Sequence, residues 1–237
     1  MEKNNLNHHI SRQFNYEIEE VRNKLLTMGG LVEQQIEWAV TALVDGNLEL
    51  AESVIHNDDK VNKLEQDIDE HCLLIIARRQ PAAFDLRMII VIIKAITDLE
   101  RIGDQACRIA KMAINLDDYD NKKQNFHELE HLGDLIKLML NGALDAFARL
   151  NVEGAVSIAA EDQKVDQEYI KIVRQLTSVM MEDPKNVMRA LNVMGAIRAM
   201  ERIGDHAVNI CEYVVYMVKG EDVRHISPEQ LAEKFKS

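Results

Sequence analysis

Breakers are scarce in this chain: three prolines and ten glycines in 237 residues. That scarcity leaves room for long uninterrupted helices. Aromatic residues make up only 5% while hydrophobic residues reach 47%, with eleven methionines. A sizeable core must therefore be filled by aliphatic side chains, as in a helical protein. The three cysteines, Cys72, Cys107 and Cys211, are widely spaced and form no Cys-x-x-Cys pair. This excludes a disulfide framework and reads as reduced, buried thiols in a cytosolic protein. Basic residues are in the minority, 28 against 40 acidic ones, for a net charge of −12 and a pI of about 5.1. No basic surface is available to replace nucleic-acid counterions, so direct nucleic-acid binding is not expected. An acidic surface favours cations or basic partner surfaces. Long apolar runs are also missing. The longest, Met88 to Ile93, stops at Lys94, too short to cross a bilayer. The first ten residues are polar and contain no signal core. A cytoplasmic location without membrane insertion is the expectation.

What the chain does have is helical periodicity. Leu25, Met28, Val32, Ile36, Ala39 and Leu43 recur at spacings of three and four, predicting a helix over Phe14–Val44. Asp45-Gly46-Asn47 reads as a turn. A second helix, Leu48–Arg79, carries Val54, Val61, Leu64, Ile68, Cys72 and Ile75 on one face, and Gln80-Pro81 ends it. A third runs from about Phe84 to Ile114. After the polar stretch Asn115–Asn125 the pattern restarts, with helices over Glu128–Leu150, Glu153–Met181 and Lys185–Val218 and a break at Asp183-Pro184. The organisation expected is a polar arm (1–13), a first three-helix bundle (14–114), a linker (115–125), a second bundle (126–218) and a polar tail (219–237). The fold class is all-α: two repeated antiparallel three-helix bundles of long helices, related by an approximate internal two-fold.

The repeat extends to charged residues. Glu-Arg-Ile-Gly-Asp occurs at Glu100–Asp104 and again at Glu201–Asp205, each followed by Ala and Ile at matching distances (Ala106, Ile109; Ala207, Ile210). Lys60-Val61-Asn62 likewise matches Lys164-Val165-Asp166. Two copies of one structural unit, and of one site, are implied. Within each copy Glu100 and Asp104, or Glu201 and Asp205, stand four residues apart on one helix face, where like charges repel unless a positive group intervenes. Gly103 and Gly204 cost a helix roughly 1 kcal/mol against alanine, so a close approach is expected at both. The preceding helices carry Asp58 with Asn62, and Asp162 with Asp166, at the same spacing. With antiparallel packing, four oxygen-bearing side chains from two helices form an oxygen-rich cation site suited to Mg, Mn, Fe or Zn. The plainer reading is solvated charge, with Arg101 and Arg202 in ordinary ion pairs.

Other patterns point less far. His127-Glu128-Leu129-Glu130-His131 has the His-Glu-x-x-His spacing of a zinc protease. It opens a helix straight after a polar stretch, without an apolar flank or a third ligand, and suits the acidic first turn of a helix instead. Glu128-x-x-His131 lacks the second Glu-x-x-His of a di-iron bundle. No phosphate loop or Ser/His/Asp set stands out, and no catalytic residue is assigned. His206 is expected to face solvent or cap, with supplementary ligation as the alternative. Met180, Met181, Met188, Met194 and Met200 read as core filling.

Taken together, Asp59-Lys60-Val61-Asn62, Arg79-Gln80-Pro81, Asp85-Leu86-Arg87, both Glu-Arg-Ile-Gly-Asp segments, Met181-Glu182-Asp183-Pro184, Asn209 to Tyr216 and Val223-Arg224-His225 resemble the PhoU family of phosphate-transport accessory proteins, in order and from about Phe14 to His225. The resemblance implies a cytoplasmic homodimer that is a regulator and not an enzyme. It implies negative regulation of the phosphate-starvation (Pho) response, through an adaptor that couples the ATPase subunit of the phosphate ABC transporter to a sensor histidine kinase and response regulator and modulates phosphate uptake. It also implies metal binding at Glu100, Asp104, Glu201, Asp205, Asp162 and Asp166, and at Asp58 with Asn62, the weaker ligand. A metal-binding bundle with storage or hydrolase activity is the alternative.

Overall fold

A computed structural model describes the backbone of residues 2–117, 127–224, 226 and 228–235. Most of the linker stretch, 118–125, and His225 lie outside the described residues. Eight α-helices are present among those described: α1 (Glu2–Asp45), α2 (Leu48–Arg79), α3 (Ala83–Asp117), α4 (His127–Arg149), α5 (Val152–Ala159), α6 (Asp162–Glu182), α7 (Val187–Lys219) and α8 (Pro228–Phe235). A single 3-10 turn, Pro184–Asn186, precedes α7. No strand occurs among the described residues.

The joints follow from local chemistry. Gly46 takes a left-handed conformation (φ 69°) and Asn47 caps α2 by accepting from the Leu50 amide at 3.1 Å. Asn151 does the same for α5 with the Gly154 amide at 3.0 Å. Leu150 there adopts the positive φ (55°) that Gly46 adopts in the first half, although a leucine is strained in it. The Pro81 and Pro184 breaks stand where the sequence puts them.

Several boundaries differ from the sequence reading. The polar arm is not separate: α1 starts at Glu2. No proline or glycine stands before Gly29, so the helix continues back to Glu2 without apolar periodicity. The single helix expected over Glu153–Met181 is two, α5 and α6, interrupted at Ala160-Glu161. The tail contains α8, whose Leu231 is buried and whose Phe235 lies against the core and under Lys219.

Helices α1–α3 and α4–α7 form two antiparallel three-helix bundles, with the split α5–α6 standing for α2. They share one hydrophobic core, and the most extensive helix contact is α3 against α7. The internal two-fold shows in the α1–α4 contact. A Cβ on Gly29 of α1 would lie 2.7 Å from the Leu144 side chain of α4, and one on Gly133 of α4 would lie 2.6 Å from Val40 of α1. Gly29 and Gly133 are equivalent positions of the repeat, as are Val40 and Leu144, so the contact is reciprocal. Cys72, Cys107 and Cys211 are free and buried, and burial pushes the thiols of Cys72 and Cys107 up to about 12. Among the described residues, no helix is long and apolar enough to cross a membrane.

The methionines divide. Met200 is fully buried, but Met181 and Met188 are 82% and 58% exposed. They stand at the open end of the second bundle beside a groove of about 260 Å³ lined by Leu129, Ile172, Leu176, Val179 and Val193. Core filling holds for Met200 and is corrected for these two.

Candidate functional site: two acidic clusters

Each Glu-Arg-Ile-Gly-Asp segment lies in the middle of the third helix of its half, with its glycine against the preceding helix. In the second half, a Cβ on Gly204 would lie 3.1 Å from Asp162 Oδ1, 3.4 Å from Val165 and 3.8 Å from Met139 Sδ. The missing side chain lets the α6 carboxylate reach the α7 backbone. Asp162 and Asp166 of α6 thus stand beside Glu201 and Asp205 of α7. The electrostatics record the crowding. Burial, then Asp166, Asp205 and Glu201, raise the Asp162 carboxyl to about 7. Glu201 is raised by burial and then by Asp205, and Asp205 by burial and then by Asp166. Arg198 and, from further off, Arg202 answer part of this charge: Arg198 Nη1 donates to Glu201 Oε1 at 2.9 Å while its guanidinium lies over the Tyr169 ring. Arg202, expected from the sequence in an ion pair, is exposed, and Arg198 makes the pair instead.

The first half repeats this arrangement with substitutions. A Cβ on Gly103 would lie 3.2 Å from Gln35 Oε1, 3.5 Å from Asp58 Oδ1 and 3.5 Å from Val61. Asn62 Nδ2 donates to Asp58 Oδ2 at 3.3 Å. Glu100 is raised by burial, then by Asp104, Glu65 and Asp58. So α2 and α3 bring Asp58, Asn62, Glu100 and Asp104 into one neighbourhood, with Glu65 close by. Asp104, like Asp166 and Asp205, is open to solvent, while the other cluster members are partly covered.

The donor set fits a divalent cation on one direct observation. Asp58 Oδ1, Asn62 Oδ1 and Glu201 Oε2 are buried without a hydrogen-bond partner. Unpartnered buried oxygens are costly, and a hard cation is the group they accept. Among the described residues, no three His, Cys, Asp or Glu side chains already converge as a closed ligand set. The clusters are open arrays across two helices. Asp58, Asn62, Glu100 and Asp104 would hold one ion, and Asp162, Asp166, Glu201 and Asp205 another. A bound cation would neutralise the carboxylates and tie the two helices together.

Two features lie outside the sequence reading. Gln35 of α1 is 1% exposed, with both amide atoms unpartnered, and faces the first cluster. The second is a buried polar knot between the halves. Asp98 of α3 accepts from His206 Nδ1 at 2.7 Å, Asn209 Nδ2 at 3.1 Å and the Tyr213 hydroxyl at 2.8 Å, all on α7. The solvent-facing role expected of His206 is therefore corrected: it is 7% exposed, locked on Asp98. The detectable signal was a departure from the repeat, since Asp98 matches Ala199 and His206 matches Gln105. His127, by contrast, is almost fully exposed and pairs only with Glu130, which leaves the protease-like pattern as surface charge.

An all-α chain, internally duplicated, with one acidic cluster per repeat on matching helices, defines the class: a double three-helix-bundle protein with a polar array on each bundle. Comparison with known proteins gives the family. A model described as the PhoU domain matches twice, over residues 25–113 and 129–214, one match per bundle. The chain is 50% identical over 232 residues to the phosphate-specific transport system accessory protein PhoU homolog of Pseudomonas aeruginosa, covering 98% of this chain and 96% of that protein. It is 48% identical to the phosphate-specific transport system accessory protein PhoU of Escherichia coli, covering 98% and 95%. The crystal structure of PhoU from P. aeruginosa superposes with a TM-score of 0.85 at 50% identity, over 88% of this chain and 100% of that one. That of the phosphate transport system regulatory protein PhoU from Streptococcus pneumoniae gives 0.83 at 32% identity, over 89% and 99%. The chain belongs to the PhoU family.

Proposed function

We propose that this protein is a cytoplasmic regulatory accessory protein of phosphate transport that restrains the phosphate-starvation response when phosphate is ample. It acts as an adaptor, a homodimer that meets the ATPase subunit of the phosphate ABC transporter on one side and a sensor histidine kinase on the other. The observation that carries this reading is the identity of about one half, along nearly the whole chain, to proteins named as accessory proteins of the phosphate-specific transport system. These relatives are named for accessory or regulatory roles and not for a reaction, which favours an adaptor over a hydrolase or storage bundle. The two acidic clusters support a metal-capable surface within that role. A divalent ion there would fix the spacing of α2 to α3 and of α6 to α7, and with it the shape offered to a partner.

Deleting the gene tests the reading. Phosphate-scavenging genes are expected to switch on in phosphate-rich medium and to be silenced again when the gene is restored. Unchanged expression would sink the proposal. A pull-down from phosphate-replete cells, probed for the transporter ATPase and the kinase, tests the adaptor role. For the metal surface, replacing Glu201 and Asp205 with alanine is expected to lower the metal content of the purified protein while helicity stays nearly intact. Equal metal content in the variant would count against the second cluster.

A further inference from the structure

The first acidic cluster contains a side chain that neither the repeat nor the charge pattern announces. Gln35 comes from α1, the first helix of the first bundle, while the acidic groups come from α2 and α3. It is 1% exposed, and neither its oxygen nor its nitrogen has a hydrogen-bond partner. Leaving a primary amide this way costs about 1–3 kcal/mol, a cost a methionine or leucine would avoid. The second half shows that alternative in place: Met139 occupies the matching position and packs its Sδ toward Gly204 as Gln35 packs its Oε1 toward Gly103. An apolar residue thus suits the bundle, yet the first half holds an amide there.

What the amide faces is specific. Gln35 Oε1 and Asp58 Oδ1 lie 3.2 and 3.5 Å from the same point, the place a Gly103 Cβ would fill. Asp58 Oδ1 is itself buried and unpartnered, and so is Asn62 Oδ1, one turn further along α2. Three buried oxygens from two helices, none of them satisfied within the protein, stand next to Glu100. Gln35 also lines a cavity of about 180 Å³ whose walls include Trp38, Asn57, Lys60 and Val61.

We propose that Gln35 supplies a ligand oxygen to the first cluster, making it a mixed amide–carboxylate site for a hard divalent cation that ties α1 to α2 and α3. The proposal rests on the reading of the clusters as metal sites. Amide carbonyls are hard, neutral oxygen donors of the kind Mg²⁺, Mn²⁺ and Ca²⁺ take alongside carboxylates. The second half achieves its balance differently, with four carboxylates and Arg198. The two sites are then unequal, and the first one involves three helices of its bundle instead of two.

The test uses Mn²⁺ with the full chain carrying Glu201→Ala and Asp205→Ala, so that only the first site remains. Titration of Mn²⁺, followed by calorimetry and by the electron paramagnetic resonance of the free ion, gives its affinity. Thermal melts with and without Mn²⁺ give its stabilising effect. Gln35→Met, the residue of the other half, is expected to weaken Mn²⁺ binding at least as much as the loss of an outer-shell partner, about tenfold. It is also expected to shrink the Mn²⁺-induced rise in melting temperature and to raise the melting temperature of the metal-free protein. Gln35→Glu keeps an oxygen donor and adds charge, and is expected to bind Mn²⁺ about tenfold more tightly or better. Mn²⁺ affinity unchanged in both variants overturns the ligand role and leaves Gln35 as a buried amide or a water ligand. Absence of Mn²⁺ binding in the parent protein overturns the underlying reading of the clusters as metal sites, a separate outcome.

Discussion

The two acidic clusters occupy equivalent places in a duplicated fold, yet each is balanced differently. In the second, four carboxylates crowd together and Arg198, braced on Tyr169, offsets one of them. In the first, the position of Arg198 is taken by Thr97, whose hydroxyl turns back to the Ile93 carbonyl at 3.0 Å, and that of Tyr169 by Glu65. There the uncharged amides of Asn62 and Gln35 stand where the second half has Asp166 and Met139. Duplication has kept the backbone device, a helix glycine that admits the neighbouring helix, and has let the chemistry around it diverge. Equivalent position in the fold does not imply equivalent ligand preference.

The largest test of this asymmetry concerns the knot between the halves. Asp98→Ala leaves His206, Asn209 and Tyr213 without their acceptor in a buried interface. It is expected to cost about 3 kcal/mol, roughly 6–12 °C in melting temperature for a chain of this size. Ala199→Asp, at the equivalent position, introduces a carboxylate opposite Gln105 and is expected not to compensate. Thermal melts of the single and double variants check both statements.

The two motif glycines should respond unequally. Gly103→Ala pushes a methyl against the buried Gln35 amide and Asp58, both of which must shift, and is expected to lower stability by about 1 kcal/mol despite alanine's helical advantage. Gly204→Ala meets Asp162, whose side chain can swing toward solvent, and is expected to be near neutral. Urea unfolding curves of the pair separate the two. Equal losses would show that the clusters are equally rigid.

A smaller effect depends on pH. The Asp162 carboxyl is raised to about 7 in the fold, so the folded protein holds a proton that the unfolded chain releases near pH 4. Stability from this group is complete below the unfolded value and is lost as pH rises through about 7. Asp162→Asn is therefore expected to raise the melting temperature of the metal-free protein at pH 8, by about 2–4 °C, and to change it little at pH 4. A gain of the same size at both pH values would point to relief of strain instead of charge. Smallest is Arg198→Met. Its pair with Glu201 is half open to solvent, and removing it is expected to cost about 0.5 kcal/mol. Its more telling readout is Mn²⁺ affinity at the second cluster, expected to rise as a competing cation leaves.

Much of this was legible in the sequence because the signals are local. Apolar spacing of three and four gave the helices, Pro81 and Pro184 gave the breaks, and the repeated Glu-Arg-Ile-Gly-Asp placed carboxylates of adjacent helices at one level. What escaped is set by contacts between distant segments. The stop at Ala160-Glu161 contains no proline or glycine, its residues are good helix formers and both keep right-handed helical dihedrals, so no local signal marks it. Gln35 sits among Val32, Ile36 and Ala39 as a lone polar residue, and only the close approach of Gly103 shows that it is buried beside the carboxylates. His206 follows the second motif as Gln105 follows the first, so its neighbours in sequence suggested solvent. Its burial comes from the crossing of α3 over α7, which no periodicity within either helix encodes. Met181 and Met188 read as core from residue type alone, and the fold leaves them exposed.

The Asp98 knot also decides which half can pair with which. The interface between the bundles is nearly two-fold, so a first half could in principle pack against another first half, and a second against a second. In the first case each Asp98 would face Gln105 and Arg108, the equivalents of His206 and Asn209, and Met112 would stand in place of the Tyr213 hydroxyl. In the second, each His206 would face Ala199 with no acceptor. Only the unlike pairing satisfies the histidine, the asparagine and the tyrosine together. Asp98 thus supplies the acceptor that the second half, with Ala199, lacks, and makes the first half its partner.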